Sequence, residues 1–313
     1  MAESVNSREI EELYASTGLR SPCFADNTAH IEINQNRVLG TSLVEGLEVE
    51  AEEFDEGVNA TILVTENSVI ENPVHVCFGM LPETGLQRIN MKVEIEHNAY
   101  AHILAHCTFP NAVDVQHLMN AEITIGRNAG YSYFERHVHA ESGGVVVVPK
   151  AEVEVKEGGS FRTEFELLHG RVGKIDIDYH TVCHEHALME MKARISGSKD
   201  DVVKIKEAGE LIGAYSRGVL TSHIALRDNA RADIDNVLTA TAPYARGHVD
   251  CQEIVRDKAM AKAVPVVDVR NPKAHVTHEA AIGSVDTKQL ETLMARGLTE
   301  EEASELIIQG LLS

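Results

Sequence analysis

The sequence predicts a mainly β protein whose strands coil into a parallel β-helix, with short helical segments at both ends. From about residue 31 to about residue 269, short runs of alternating apolar and polar residues are separated by Gly, Asn and Asp, which is typical of strands and turns. Within this region a seven-residue pattern recurs at intervals of roughly 21 to 30 residues, the range expected for the coils of a solenoid.

The recurring pattern has two apolar residues two positions apart and a small residue six positions after the first. It occurs as VEIEHNA at 93–99, ITIGRNA at 123–129, VEVKEGG at 153–159, VKIKEAG at 203–209 and IALRDNA at 224–230, with a weaker copy at 175–181. Alternate residues of a strand point to the same face, and a small residue lets the chain turn a corner. Stacked coils would then pair each strand with its neighbours above and below.

An antiparallel sandwich or jelly roll is the alternative fold, because these architectures also contain many short alternating strands. They commonly join strands through tight two-residue hairpins, for which Asn-Gly and Asp-Gly are the strongest signals. Neither dipeptide occurs in this chain. The pattern therefore favours the parallel β-helix and leaves the sandwich as the weaker interpretation.

Both ends of the chain are predicted to be helical. The first 16 residues carry apolar side chains at helical spacing, and near the C-terminus Asp286 and Thr299 are predicted N-caps of two helices joined at Gly297. We expect this helix pair to cover the open end of the solenoid, although its apolar face could receive a partner instead. The chain is thus divided into an N-terminal helical segment (1–30), a β-helix core (31–270), and a last β segment with the helix pair (271–313).

Composition excludes several functional classes. The 313 residues include 49 Asp and Glu against 28 Lys and Arg, a formal net charge of −21, which argues against binding nucleic acid or an anionic membrane surface. No apolar run is long enough to span a membrane and no apolar signal core begins the chain, so we expect a soluble, cytoplasmic protein. Neither phosphate-binding glycine motif, G-x-x-x-x-G-K-[ST] or G-x-G-x-x-G, is present, so any nucleotide is expected on another protein.

The cysteine and histidine residues offer two possible metal-binding motifs, one at 183–186 and one at 137–141, and the sequence argues against both. The chain has five cysteines but no C-x-x-C pair, which argues against a four-cysteine site within one chain. In the run Cys183-His184-Glu185-His186, strand alternation would place the two histidines on one face, which is more simply a solvated face. The pair His137-x-His139 followed by Glu141 resembles a cupin metal motif, but the glutamate comes too early.

The C-terminal part of the sequence resembles a known protein family. The segment NPKAHVTHEA at 271–280 resembles the N-P-x-A-x-V-x-H-E-A segment of the SufB/SufD family, and DTKQLETLMARGLTEEEASELIIQGLL, which follows at 286–312, resembles its terminal helix pair. The specific match runs from about Tyr244 onward. The chain departs from the family in having a very short N-terminal helical part and no long cysteine-containing loop before the coils, which suggests a compact version.

The resemblance implies a right-handed parallel β-helix that acts as a non-catalytic scaffold for iron–sulfur cluster assembly. It further implies a transient cluster near the interface of two scaffold subunits, either a homodimer or a heterodimer with a paralogue. A SufC-type ABC ATPase would dock on the C-terminal helices, a sulfur donor would supply the scaffold, and apo-proteins would accept the cluster. The alternative is a β-helical enzyme acting on carbohydrate or acyl substrates, which would not bring an ABC ATPase with it in a native complex.

The resemblance also indicates candidate ligands for the iron–sulfur cluster. SufB-type members carry a cysteine upstream of the H-E-A motif, a position matched here by Cys251, while His278 and Glu279 match the histidine and glutamate of the motif. Thiolate is the preferred ligand of cluster iron, and imidazole and carboxylate can complete a labile site. The neighbours His248 and Asp250 are weaker candidates.

Strand periodicity adds a geometric expectation. Cys251 and His278 each lie two residues after a valine, and about one coil of chain separates them, so they would stack within roughly 5 Å of each other. Glu279 would then point to the opposite face. One chain offers at most three ligands, and two chains meeting could supply four. Otherwise Cys251 is simply a small buried residue, and a role for Cys107 or Cys183 in relaying sulfur stays open.

Overall fold

A computed structural model describes residues 2–16, with side chains from residue 7, and residues 27–313; Cys23 lies outside this range. The elements are α1 (Ala2–Ser16), β1 (His30–Asn34), β2 (Arg37–Ser42), β3 (Leu47–Phe54), β4 (Gly57–Val64), β5 (Val74–Gly79), β6 (Thr84–Ile95), β7 (Tyr100–Phe109), β8 (Asp114–Ile125), β9 (Gly130–His139), β10 (Val145–Val155), β11 (Ser160–His169), β12 (Lys174–Cys183), β13 (Leu188–Gly197), β14 (Val202–Leu211), β15 (Arg217–Leu226), β16 (Arg231–Ala240), β17 (Arg246–Val255), β18 (Met260–Val269), β19 (His275–Gly283), α2 (Thr287–Met294) and α3 (Glu300–Leu311).

The chain forms a β-solenoid of about eight turns, which confirms the predicted fold class. From β4 onward, successive strands alternate between two sheets. One sheet runs in the order β19-β17-β15-β13-β11-β9-β7-β5-β1-β2, and the other in the order β18-β16-β14-β12-β10-β8-β6-β4-β3. From β4 and β5 onward all neighbours within a sheet are parallel. The apolar side chains of both sheets meet in one continuous core between them.

Each coil contributes one strand to each sheet. Thr84 pairs in register with Asp114, and further along Lys174 pairs with Val202. The number of residues per coil is therefore near the upper end of the intervals seen in the sequence pattern. The pattern copies at 93–99, 123–129 and 153–159 lie in one sheet at this spacing. The shorter interval between the last two copies arises because they begin in β14 and β15, which belong to opposite sheets.

The small residue of the pattern turns a corner in most copies. Asn98 and Asn128 have φ near +55°, and the buried Ala99 and Ala129 follow them directly at the end of each turn. Gly209 is an exception to the corner interpretation, because it lies inside β14. There a Cβ atom would come within 1.9 Å of the terminal methyl of Met189, so close packing rather than a turn requires glycine.

The N-terminal end is closed by hairpins and by α1. The pairs β1–β2 and β3–β4 are antiparallel, in contrast to the remaining coils. Leu13 and Tyr14 of α1 pack with Leu39 and Cys77 in a small second core, and the Tyr14 hydroxyl donates a 2.9 Å hydrogen bond to the buried Glu32 carboxylate. The first coil is therefore covered on the outside of its sheet.

The C-terminal helices begin as the sequence predicts. The Asp286 side chain accepts a hydrogen bond from the backbone N–H of Gln289, and Thr299 and Glu302 form a reciprocal capping box. Gly297, with φ of +101°, supplies the left-handed turn between the two helices.

The expectation that these helices cover the open end of the solenoid is wrong. Ile308 and Leu312 of α3 pack against Ala225, with Leu168 and Ile254 beside them, on the outer face of the sheet that contains β11, β15 and β17. That outer face carries apolar side chains here, so the apolar stripe of α3 is buried against the side of the solenoid. None of the helices in the described part of the chain is long and apolar enough to cross a membrane.

Candidate functional site

The C-terminal end of the solenoid is open. In the part of the chain that the structure describes, β18 and β19 are the last strands of their sheets and pair on one side only. The interior face of β17 carries Val249, Cys251 and Glu253, all buried. The residues beside them on β19 have the same interior phase but are exposed, because no further coil covers them: His278, Ala280 and Ile282.

Cys251 and His278 share the interior face but do not stack directly. The register pairs Cys251 with Ala280, and His278 with Val249. The coil is therefore longer than the stretch of chain between Cys251 and His278, and the predicted direct alignment of the two is wrong by two positions. The thiol lies one coil below the open end, beneath the methyl group of Ala280, and the imidazole lies diagonally above it on the exposed edge strand.

Glu279 and the weaker candidates lie on the outer face. Glu279 is exposed and pairs in register with Asp250, whose carboxylate is 3.2 Å from Nε2 of His223. Nδ1 of His248 is 2.8 Å from the hydroxyl of Thr277. As the alternation predicts, one chain thus brings Cys251 and His278 to one face and leaves Glu279 on the other.

Cys251 lies in a polar pocket inside the apolar core. The side-chain amide of Asn236 lies 3.7 Å from Sγ of Cys251 and 3.5 Å from the Ser222 hydroxyl, and that hydroxyl donates to Glu253 at 3.5 Å. All four residues are buried. Burial raises the pKa of the Cys251 thiol, while hydrogen bonds from Ser222 and Asn236 oppose that rise.

Glu253 gives this pocket a proton acceptor. Burial raises the pKa of its carboxyl to about 7, so near neutral pH it can hold or release a proton. A thiol must lose its proton before it binds a metal ion. The pocket therefore combines a soft ligand with a base two residues away on the same strand face.

Sequence reasoning missed the three partners of Cys251. Asn236 lies in β16 between Ile234 and Leu238, at a position of the segment ADIDNVLTA where alternation predicts an inward-facing apolar residue. Ser222 likewise faces inward from β15. A polar residue at an inward-facing position of a strand was the available signal. Burying a polar group is costly unless it is hydrogen-bonded, so such a residue indicates a polar partner inside the core.

Comparison with known proteins assigns the chain. Residues 82–311 match the family model described as the SUF system FeS cluster assembly, SufBD core domain. The chain is 38% identical over 282 residues to an iron–sulfur cluster assembly SufBD family protein of Methanocaldococcus jannaschii, covering 90% of this chain and 89% of that protein.

The chain belongs to the SufBD family.

Further relatives agree with this assignment. A SufBD family protein of Pyrococcus horikoshii is 36% identical over 303 residues, which cover 97% of this chain and 92% of that protein. The iron–sulfur cluster assembly protein SufB of Bacillus subtilis is 35% identical over 72 residues, which cover 23% of this chain and 16% of that protein. The resemblance found in the sequence is thereby confirmed at the level of the family.

The run at 183–186 is not a metal face in this SufBD chain. Strand β12 ends at Cys183, which is buried, and the next three residues form a turn in which strand alternation does not apply. Nε2 of His184 is 2.8 Å from Oε1 of Glu154, and the ring of His186 stacks on Tyr215 at 5.0 Å. The expected alternation across these four residues is therefore wrong.

The motif around His137 is more informative than the sequence suggested. Both His137 and His139 point into the core of the SufBD solenoid, and Glu141 is exposed in the following turn. The acidic partner is instead Glu135, whose Oε1 is 2.6 Å from Nε2 of His137. Alternation in YSYFERHVH places Glu135 and both histidines on one face, which was the signal for this cluster.

Proposed function

We propose that this chain is a scaffold subunit on which an iron–sulfur cluster is assembled from separately supplied iron and sulfur and then transferred to apo-proteins. The cluster is the cargo of the scaffold, and Cys251 is its principal protein ligand. The observation that carries the proposal is the position of Cys251 one coil below the open end of the solenoid, beside a buried base and diagonally below the exposed His278. A mixed set of thiolate, imidazole and carboxylate ligands suits a cluster that must later be released.

A second subunit completes the site in this proposal. Within the described ranges, the edges of β18 and β19 leave backbone hydrogen-bonding groups free at the same end of the molecule, and such edges favour pairing with another chain. A homodimer repeats the same patch on both sides, so that two copies of Cys251, His278 and Glu279 approach each other. A heterodimer with a paralogue would provide a related but unequal pair.

A SufC-type ABC ATPase is the proposed partner of the C-terminal helix pair. Leu306 on α3 is 47% exposed, and together with Ile307 and Ile282 it lines a groove between the helices and β19. Because α3 is anchored on the sheet that contains β17 and β19, a displacement of the helices by the ATPase would be transmitted to the last coil. In this proposal the groove couples nucleotide hydrolysis by the partner to opening of the cluster site.

Anaerobic reconstitution tests the proposal. Wild-type protein and Cys251→Ala are incubated with ferrous iron and sulfide, desalted, and assayed for bound iron and acid-labile sulfide. We expect the variant to lose most of the bound cluster, because the thiolate is its strongest ligand. Cys183→Ala is the matched control, since Cys183 is also fully buried in the solenoid but belongs to β12.

The outcome that contradicts the proposal is unchanged cluster content in Cys251→Ala. Circular dichroism of each variant before reconstitution shows whether it is folded, so loss of the cluster can be separated from loss of the fold. Cys251→Ser provides a second variant that preserves the volume of the pocket.

A further inference from the structure

A second group of metal-ligand side chains lies inside the solenoid, far from Cys251. Cys107 projects from β7, and Glu135 and His137 project from the adjacent β9, where Cys107 pairs in register with His137. Their Sγ, carboxylate oxygen and imidazole nitrogen atoms lie within 4.8 Å of one another, and all three residues are buried. Sγ of Cys107 is 3.4 Å from Oε1 of Glu135, and the same oxygen is 2.6 Å from Nε2 of His137.

A chain of hydrogen bonds fixes which atoms carry protons. The backbone carbonyl of Arg171 is 2.9 Å from Nδ1 of His139 and can only accept, so this nitrogen donates. In neutral His139, Nε2 is then the acceptor, and it lies 3.1 Å from Nδ1 of His137, which donates in turn. Nε2 of His137 therefore faces the Glu135 carboxylate with a single proton between them. A cation can take the place of that proton.

His117 supplies an independent sign of a missing ligand. The amide nitrogen of Gln87 donates to the backbone carbonyls of Gln35 and Gly79 at 2.8 and 3.0 Å, which directs the amide oxygen to Nδ1 of His117 at 2.8 Å. His117 must then donate from Nδ1 and keep a lone pair on Nε2. Among the described residues, nothing hydrogen-bonds this fully buried Nε2 atom.

The histidine with the free lone pair lies next to this cluster. The ring of His117 lies 6.3 Å from the ring of His137. Glu135 has the same deficiency, because its Oε2 is buried and has no hydrogen-bond partner among the residues that the structure describes. Leaving buried polar atoms unpaired is costly, so a ligand that engages them would be stabilising.

We propose that Cys107, Glu135 and His137 bind one divalent transition-metal ion of the zinc class, with His117 as the fourth ligand. Cysteine, histidine and carboxylate together are the donors that such borderline ions prefer. In a tetrahedral zinc site with ordinary bond lengths, the ligand sulfur and oxygen atoms lie about 3.6 Å apart, and the ligand nitrogen and oxygen atoms lie about 3.4 Å apart. The sulfur–oxygen distance already fits, and the nitrogen–oxygen distance must open by less than about 1 Å.

Charge balance favours this exchange in a buried position. Binding of the divalent ion releases one proton from the Cys107 thiol and the one proton shared by His137 and Glu135. Two positive charges leave as protons and two enter as the metal ion, so the net charge of the core does not change. Burying an uncompensated charge would be costly, and this site avoids it.

The proposed metal site is separate from the proposed cluster site. β7 and β17 are five strands apart in the same sheet, about 24 Å at a strand spacing of about 4.8 Å. The two sites can therefore be tested independently, and either proposal can fail without the other.

The test is to produce wild-type protein and Cys251→Ala in cells grown with added Co²⁺, and to measure the cobalt content and the absorption spectra of the purified proteins. Metal supplied during folding does not depend on a path into the finished core. We expect about one cobalt ion per chain in both proteins, with sulfur-to-cobalt charge-transfer absorption and the strong visible bands of tetrahedral cobalt. Growth with Zn²⁺ instead should give the same stoichiometry of zinc.

Variants locate the ion. Cys107→Ala should abolish the charge-transfer absorption, and Glu135→Gln, which preserves side-chain shape, should lower the cobalt content about tenfold. Cys183→Ala should retain both signals, as a buried cysteine outside the cluster. The proposal is overturned if wild-type protein is purified free of cobalt and zinc, or if the absorption persists in Cys107→Ala and disappears in Cys251→Ala. If Cys107→Ala does not fold, the contrast between Glu135→Gln and Cys183→Ala decides.

Discussion

The side-chain amide of Asn236 in β16 and the thiol of Cys251 in β17 meet across the core at a distance of 3.7 Å. The contact joins the two sheets of the solenoid directly below the last coil, because these strands belong to opposite sheets. It gives the sulfur atom a polar neighbour inside an otherwise apolar core. Asn236 is therefore a positioning residue for the proposed cluster ligand.

Asn236→Ala should weaken iron binding without removing it. The lost hydrogen bond contributes about 0.5–1.5 kcal/mol, so we expect roughly a 2- to 10-fold weaker affinity for ferrous iron in an anaerobic titration. Asn120→Ala is the control, since Asn120 is an exposed asparagine that donates to Asn90 on the outer surface. Equal affinities of Asn236→Ala and wild type would mean that the contact does not position the thiol.

Val269→Lys should dissociate the proposed dimer. Val269 pairs in register with the buried Ala240, so its side chain points toward the interior of the last coil. It is nevertheless 44% exposed, because it lies at the open end. A lysine there is tolerated by the monomer but is buried without a partner in the dimer, so dimerisation should weaken by about 30-fold or more, equal to about 2 kcal/mol. Analytical ultracentrifugation measures the shift.

A lysine elsewhere on the surface provides the comparison for this experiment. Val113 is 59% exposed in the turn between β7 and β8, distant from the open end. Val113→Lys should leave the oligomeric state unchanged. If both lysine variants behave alike, the open end is not the subunit interface.

Leu306→Glu should disrupt binding of the proposed ABC ATPase partner. Leu306 is exposed on α3, so the substitution removes an apolar contact for the partner without disturbing the packing of Ile308 on the solenoid. We expect the affinity for the ATPase, measured by calorimetry with the purified partner, to fall about tenfold or more. Gln309→Glu adds the same charge to the same helix and should change the affinity by less than about twofold. Undiminished binding by Leu306→Glu would remove the helix pair from the interface.

Glu207 should make the stability of the fold depend on pH. Its side chain is buried in β14, next to Tyr179 in register, and burial raises the pKa of its carboxyl to about 8. Between the ordinary glutamate pKa, about 4.3, and this raised value, the folded chain keeps a proton that the unfolded chain has released. This contribution to stability is therefore greatest at low pH and is lost as the pH rises, by up to about 1.4 kcal/mol per pH unit.

Glu207→Gln should remove this dependence and raise the melting temperature at pH 8 relative to wild type. Thermal melts between pH 5 and pH 8.5 give the comparison. Glu122→Gln, which changes an exposed carboxylate on β8, should melt in parallel with wild type. A parallel pH profile for Glu207→Gln would show that the buried carboxyl does not titrate in this range.

The coils were predictable because their determinants are local. Alternation of Val93 and Ile95, followed by a small residue at Ala99, places two side chains inward and turns the chain, whatever the rest of the molecule does. The caps at Asp286 and Thr299 are equally local. The resemblance to the family rested on a contiguous segment at 271–280 and the helix pair after it, so it too required only nearby residues.

Positions across the coils were not predictable from spacing alone. Whether Cys251 faces His278 or Ala280 depends on the length of one turn, and a difference of two positions is enough to displace the pairing. The docking of α3 on the side of the solenoid depends on Leu168, Ala225 and Ile254, which come from three different coils. No local pattern contains that information.

The sequence by itself determined the solenoid, its helical ends, the family and the candidate ligands Cys251, His278 and Glu279, because periodicity and short motifs are carried by neighbours in the chain. Only the tertiary structure decided that Ala280 rather than His278 lies beside Cys251, that Asn236 meets Cys251, and that Cys107 meets Glu135 and His137. Those contacts join residues from different strands, and they follow from the register of the stacked coils, which is set by the packing of the whole core.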